Sequence, residues 1–366
     1  MTAEEIQQLL NRYKTGQCSP AEIDLLEESL MHYNEQGIDL SERPIKAIGA
    51  KIYAQLPQKP QSKPNPKLWL YMSSAAAAVI LSISLWFLLP SKTSTDRSLI
   101  TAEKIYPAGN RATITLASGQ QLQLATQQKE VIIAQNTISY PDGSILNNTK
   151  TTCNQTITTP KGGEYKIVLS DGTKVWLNAA TVLQYPTSFQ ERSERRVKLV
   201  SGEAYFEVAK DKNHPFIVTT ATQELEVLGT QFNINAYRAP IRTTLEEGSV
   251  KLNHLGNKNS VKLIPGEEAS NENGEFKKSV ADVELALAWK NGKLKFKNAS
   301  LKAILDEAER WYGISVKYQG VIPEIHLTGG ISRKSSLATL LKLLTMSGVN
   351  FSIKEERGIN ILVIKS

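Results

Sequence analysis

His214, the nearby Asp211 and Ser201 come nearest in this chain to a hydrolytic set. Chemistry of that kind needs a nucleophile on a sharp turn and a base held by a third group. No G-x-S-x-G elbow and no H-E-x-x-H zinc motif frames these three residues. The remaining histidines, His32, His254 and His326, and the two cysteines, Cys18 and Cys153, are scattered without the short spacings of a zinc site. There is no Gly-rich phosphate loop in the C-terminal stretch. Trp176, Tyr205, Phe206, Phe216 and Phe232 lie in strand-like stretches and read as β-core rather than as a platform for sugars. The residues that could do chemistry therefore point away from an enzyme acting on other molecules, and away from a cofactor or metal.

The elements that would carry these residues change character along the chain. From about 103 to 268 short alternating strands follow one another, at 165–169, 174–178, 195–200, 203–208, 216–220, 231–237 and 249–253. Ser170-Asp171-Gly172-Thr173 joins the first two with an Asp-Gly hairpin signal. Ile114 to Leu122 aligns with Ile167 to Val175 as a weaker copy of the same hairpin. Near Trp289 the pattern changes. Leu294 and Phe296 alternate as a strand, and Ser300 caps a helix with the stripe Leu301, Ile304, Leu305 and Ala308. Strands at 314–318 and 324–328, a helix at 336–346 and strands at 350–353 and 359–364 complete a βαββαββ order. That order predicts one small sheet covered on one face by two helices.

Upstream, 68–89 is a run of 22 residues without a charge (LWLYMSSAAAAVILSISLWFLL). As a helix it would be roughly 33 Å long, enough for a hydrocarbon core of about 30 Å. Trp69, Tyr71 and Trp86 stand near its ends, where aromatic rings favour headgroups. It begins too far from Met1 for an ordinary signal peptide and reads as a retained anchor. Lysines and arginines flank it almost evenly, so the pattern leaves its direction open. It would also separate Cys18 from Cys153, which excludes a disulfide between them. Before it, residues 57–67 are a Pro-rich extended spacer. Residues 1–56 carry helical stripes: Ile6, Leu9, Leu10 and Tyr13 on a first helix, then Ile23, Leu26 and Leu30 on a second that Ser19-Pro20-Ala21-Glu22 opens. A third helix after Pro44 carries Ile45, Ile48, Ile52 and Leu56 on one side, and three such short helices bury little apolar surface alone and would gain stability from a partner. The net charge of +7 is dispersed, without the basic helix or aromatic-interleaved motif of a nucleic-acid binder.

Several stretches together resemble a known family. They are Lys161-Gly162-Gly163-Glu164-Tyr165 through Leu177-Asn178-Ala179, then Val200-Ser201-Gly202-Glu203-Ala204-Tyr205-Phe206-Glu207-Val208, then His214-Pro215-Phe216. Val227-Leu228-Gly229-Thr230-Gln231-Phe232-Asn233-Ile234, Thr244 to Val250 and Leu263 to Glu267 continue the series. In order and spacing they resemble FecR-family transmembrane anti-sigma factors. The tail from Trp289 resembles the C-terminal domain of the Bacteroidetes members, itself similar to the small signalling domain of TonB-dependent receptors and secretins.

The resemblance implies a multidomain architecture: 1–56 cytoplasmic, helical and sigma-binding; 57–67 linker; 68–89 one transmembrane helix; 90–280 a mainly-β periplasmic domain; 289–366 a small α+β signalling domain. It implies an inner-membrane protein with a cytoplasmic N-terminus. Its partners would be an extracytoplasmic-function (ECF) sigma factor and the signalling domain of a TonB-dependent outer-membrane transporter, with no direct nucleic acid and no small-molecule substrate. The stripe Ile6, Leu9, Leu10, Tyr13, Ile23, Leu26 and Leu30 would then face helical regions of the sigma factor. Some relatives cleave themselves at a Gly-Thr bond matching Gly229-Thr230, by attack of the threonine hydroxyl on the preceding carbonyl. The alternative at this pair is structural, with Gly229 supplying an unusual backbone angle. A second reading of the whole chain is a membrane-anchored periplasmic scaffold or transport-assembly module without sigma binding.

Overall fold

A computed structural model of the protein describes residue 99 and residues 101–148, 151–190 and 192–365. The chain divides into two units, Met1–Lys92 and Thr93–Ser366, and all described residues belong to the second. The sigma-facing stripe, the spacer and the uncharged run at 68–89 lie outside the described residues. Among the described residues no helix is long and apolar enough to cross a membrane.

Most of the described chain is β-structure in two facing sheets. The first sheet runs β3 (Gln121–Gln123), β2 (Thr113–Thr115), β7 (Asn154–Thr158), β10 (Val182–Pro186), the first half of β11 (Arg195–Glu207), β12 (Phe216–Thr219), β13 (Gln223–Val227), β16 (Val250–His254) and β17 (Ser260–Leu263). The second runs β6 (Ile145–Asn148), β5 (Thr137–Ser139), β4 (Glu130–Ala134), β8 (Gly163–Val168), β9 (Lys174–Leu177), the second half of β11, β14 (Gln231–Ala236), β15 (Ile241–Glu247), β18 (Glu267–Glu272) and β19 (Glu275–Val280). The short β1 (Gly109–Asn110) pairs parallel to the start of β8. Inward-facing residues of both sheets, among them Ile114, Leu199 and Phe216 from one and Ile167, Phe206 and Phe232 from the other, form one core. Phe206 stacks on Phe232 with ring centroids 5.0 Å apart. This is the alternation of a sandwich, in which every second residue of a strand faces the opposing sheet.

β11 departs from the two strands expected at 195–200 and 203–208. It is one strand of 13 residues that leaves the first sheet and joins the second at Gly202. Gly202 has φ +100°, and a Cβ there would lie 2.4 Å from Thr181 Cα, so only glycine fits this crossing. Burial along the strand records the change: Arg195 to Val200 alternates buried and exposed, whereas Gly202 to Phe206 is buried throughout. A strand buried on both faces needs a second layer over its outer side.

The C-terminal module supplies that layer. It comprises α1 (Val283–Ala286), β20 (Lys293–Ser300), α2 (Leu301–Tyr312), β21 (Ser315–Gln319), β22 (His326–Ser332), α3 (Leu337–Met346), β23 (Asn350–Glu356) and β24 (Ile359–Lys365). Ser300 caps α2 by accepting from the Ala303 N–H, and Gly313 ends the helix in the left-handed region at φ +67°. The element order matches the expected βαββαββ, but the strands form two small sheets instead of one: β20 with β22, and β21–β24–β23. α3 buries Leu337, Ala338, Leu340, Leu341 and Leu344, and residues of both sheets share its core.

The two hairpins paired by the sequence do share their turn. Leu116 N–H donates to Gln120 O and Gly119 N–H to Leu116 O; Leu169 N–H donates to Thr173 O and Gly172 N–H to Leu169 O. They stand in opposite sheets, so the likeness is local.

Candidate functional site at the joint between the modules

The outer face of the second sheet meets the C-terminal module, and the sequence dictates which side chains arrive there. In a strand, neighbours point to opposite faces, so Ala204 and Phe206 in the sandwich core require Glu203 and Tyr205 outside it. Likewise Phe232 and Ile234 inside place Asn233 and Asn235 outside, and Val175 and Leu177 inside place Trp176 outside. Trp176 and Tyr205 therefore depart from the expected sandwich core. They pack edge to face at 5.5 Å on the other side of the sheet and belong to the core of the C-terminal module. The Lys290 ammonium sits 3.7 Å from the Tyr205 ring centroid and 4.9 Å from that of Trp176, a cation–π arrangement.

Glu203 is the centre of this joint. It is 6% exposed, and its carboxylate accepts from three amides: Asn178 Nδ2 at 2.8 Å, Asn233 Nδ2 at 2.9 Å and Asn235 Nδ2 at 3.1 Å. Asn233 Oδ1 in turn accepts from Trp289 Nε1 at 3.2 Å, which ties the cage to the first residues of the C-terminal module. Burial pushes the Glu203 carboxyl up to about 7, the charge of Glu307 on α2 adds to the rise, and the three amides pull it back. Removal from water outweighs three donors here because the carboxylate has no full counter-charge in its cage.

A second set of contacts comes from the Lys161-Gly162-Gly163-Glu164-Tyr165 motif. Gly162 N–H donates to Arg310 O at 2.6 Å and so satisfies a carbonyl at the end of α2. Lys161 Nζ pairs with Glu309 at 2.8 Å, and Arg333 Nη1 stands 2.9 Å from Glu164. Burial raises the Glu164 carboxyl above its ordinary range, and Arg333 opposes that rise. Arg310 pairs with Glu307 and lies 4.2 Å over the Tyr237 ring, while Tyr237 Oη donates to Ala179 O at 2.5 Å. Arg238 pairs with Asp306 at 2.9 Å, and Leu337 N–H at the start of α3 donates to Ile105 O. A Cβ at Gly163 would lie 2.8 Å from Arg111 O, so the motif turn has no room for a side chain. The arrangement holds two modules together through one buried, proton-sensitive carboxyl and a rim of ion pairs.

The candidate self-cleavage pair lies elsewhere, at the opening of β14. Gly229 has φ +146°, and a Cβ there would come within 2.6 Å of Lys210 Cγ and 2.9 Å of Lys210 Cα. Thr230 is 4% exposed; its Oγ1 donates to Ser249 O at 3.2 Å and its carbonyl accepts from Val208 N–H. Among the described residues no Asp, Glu or His hydrogen-bonds to that hydroxyl. Asp211 Oδ2 and His214 Nδ1 are 2.8 Å apart on an exposed turn. Ser201 is not brought to them: Arg195 at the start of β11 touches His214 O, and Ser201 lies about 20 Å further along that strand. Among the described residues no group of three His, Cys, Asp or Glu is placed to hold a metal.

The joint residues Glu203, Asn178, Asn233, Asn235, Trp289 and Arg310 were not foreseen as a site. The signal was present in the alternation of Glu203 and Tyr205 with Ala204 and Phe206, since a polar face interrupted by a tyrosine marks a covered surface.

A β-sandwich whose outer face is roofed by a small α+β module defines a two-module protein joined around one caged carboxyl. Residues 155–251 match the FecR protein family and residues 293–361 match the FecR C-terminal family. Two crystal structures of a candidate anti-sigma factor from Parabacteroides distasonis are similar to this chain. One is 29% identical over 58% of this chain and 100% of its own length, with a TM-score of 0.51. The other is 30% identical over 57% of this chain and 97% of its own length, with a TM-score of 0.50. No curated protein matches the chain. The chain belongs to the FecR family of anti-sigma factors, a family of regulators and not of enzymes.

Proposed function

We propose that this protein is an inner-membrane anti-sigma factor. Its segment 1–56 binds an ECF sigma factor in the cytoplasm, 68–89 spans the membrane, and the two described modules receive a signal in the periplasm from a TonB-dependent outer-membrane transporter. The observation that carries the reading is the tandem of family matches on one chain, downstream of a 22-residue uncharged run. The joint gives the reading a physical course. A partner that engages the C-terminal module loads α2, and α2 is fastened to the sandwich at Lys161, Gly162 and Arg238.

The test is co-purification of the full chain, in detergent, with the ECF sigma factor encoded beside it. Leu9→Glu with Leu26→Glu should abolish retention of the sigma factor while leaving membrane insertion intact. Retention unchanged by that pair, or no retention by the parent chain, would favour the scaffold reading.

A further inference from the structure

The groove beside Gly229 holds about 690 Å³ and is lined by Lys210, Lys212, Lys251 and Lys262, with Glu226 its single acid. All four lysines are exposed, and among the described residues no acid pairs with any of them. Strand register sharpens the imbalance. Glu226 on β13 stands opposite Lys251 on β16, and Lys251 stands opposite Lys262 on β17. The row reads acid, base, base, and like charges directly opposed across strands are unfavourable.

The row ends at an edge. Among the described residues β17 pairs with β16 alone, so its other side presents unused backbone N–H and C=O groups. Ser260 and Lys262 face solvent, Leu263 is buried, and Val261 packs against the sandwich core while remaining half-buried. Leu228 in the groove wall is 46% exposed. A single lysine on an edge strand is an ordinary guard against sheet-to-sheet association. Four lysines around one groove, with two incompletely covered apolar side chains, exceed that need.

We propose that β17 is a docking edge for an extended segment of a partner protein in which acidic and apolar residues alternate. Such a segment continues the first sheet by one strand. Its acids fall on the outer face beside Lys262 and the groove lysines, completing the row as acid, base, base, acid, and its apolar residues cover Val261. An anionic lipid surface or a polyanion would use the lysines without needing either the backbone edge or the period of two.

The test uses the full chain in detergent micelles and fluorescence anisotropy of short labelled peptides. A peptide alternating Glu and Val should bind saturably. Affinity should fall about ten-fold or more for a peptide of equal composition with its Glu and Val in separate blocks, for the alternating peptide N-methylated at alternate amides, and for Lys262→Glu. Lys262 is exposed, so that variant should keep the parent unfolding midpoint; if it does not, Lys212→Glu replaces it. Equal binding of alternating and block peptides, indifference to N-methylation, or no saturable binding would overturn the proposal. So would tighter, lysine-dependent binding to phosphatidylglycerol vesicles than to the alternating peptide.

Discussion

Glu203 should make the described modules less stable as pH rises through neutrality. Its carboxyl has an ordinary value of 4.5 and is pushed up to about 7 in the folded protein. A carboxyl raised on folding favours the folded state most below its unfolded value, and that contribution is lost as pH rises through the folded value. The rise from 4.5 to about 7 corresponds to about 3 kcal/mol lost between about pH 4.5 and pH 7 and above. The perturbation is Glu203→Gln, which keeps the shape and removes the proton. Its pH-independent cost is about 1 to 2 kcal/mol, because a side-chain amide placed against Asn178 Nδ2 leaves two donors facing each other. That cost cancels in the comparison that matters, the change in stability between about pH 5 and about pH 8.5. Urea unfolding followed by tryptophan fluorescence is suited to it, since Trp176, Trp289 and Trp311 all pack in the core at the joint. The parent chain should lose about 2 to 3 kcal/mol more than Glu203→Gln across that interval. Equal losses in the two proteins would refute the reasoning, and a smaller loss in the parent would reverse its sign.

Gly202→Ala should destabilise the sandwich by about 3 kcal/mol or more, seen as a lowered urea midpoint, because the added carbon meets Thr181 in a left-handed backbone. Phe206→Ala should cost about 3 to 5 kcal/mol in the unfolding of the sandwich, whereas Tyr205→Phe should cost only about 1 to 2 kcal/mol. Tyr205→Phe removes the hydroxyl that donates to Gln231 on β14 or Glu246 on β15, so its effect should appear as a slightly lowered urea midpoint of the sandwich. Thr230→Ala should leave the fragment pattern on an immunoblot of the full chain unchanged, since its hydroxyl is committed to Ser249 O. Loss of a fragment would instead identify the Gly229-Thr230 bond as cleaved.

The sequence by itself determined the local elements that depend on near neighbours. Asp171-Gly172 fixed a hairpin because the turn needs a positive φ. Ser300 fixed the start of α2, and the spacing of Leu301, Ile304, Leu305 and Ala308 fixed its buried face, because caps and helical periods act within one or two turns. The family motifs identified the regulator class, and the comparisons agree. What the tertiary structure decided was the use of those motifs. Lys161 to Tyr165 became a socket for the end of α2, Gly202 became the crossing between two sheets, and Glu203 became a caged carboxyl. Tyr205 and Phe206 are adjacent in sequence and of similar size, yet they serve different cores. Alternation says only that they point apart; which side meets the sandwich and which the C-terminal module depends on partners lying up to about a hundred residues away. Burial on both faces of a strand is a property of the layers that close over it, and a single strand's sequence holds only half of that information.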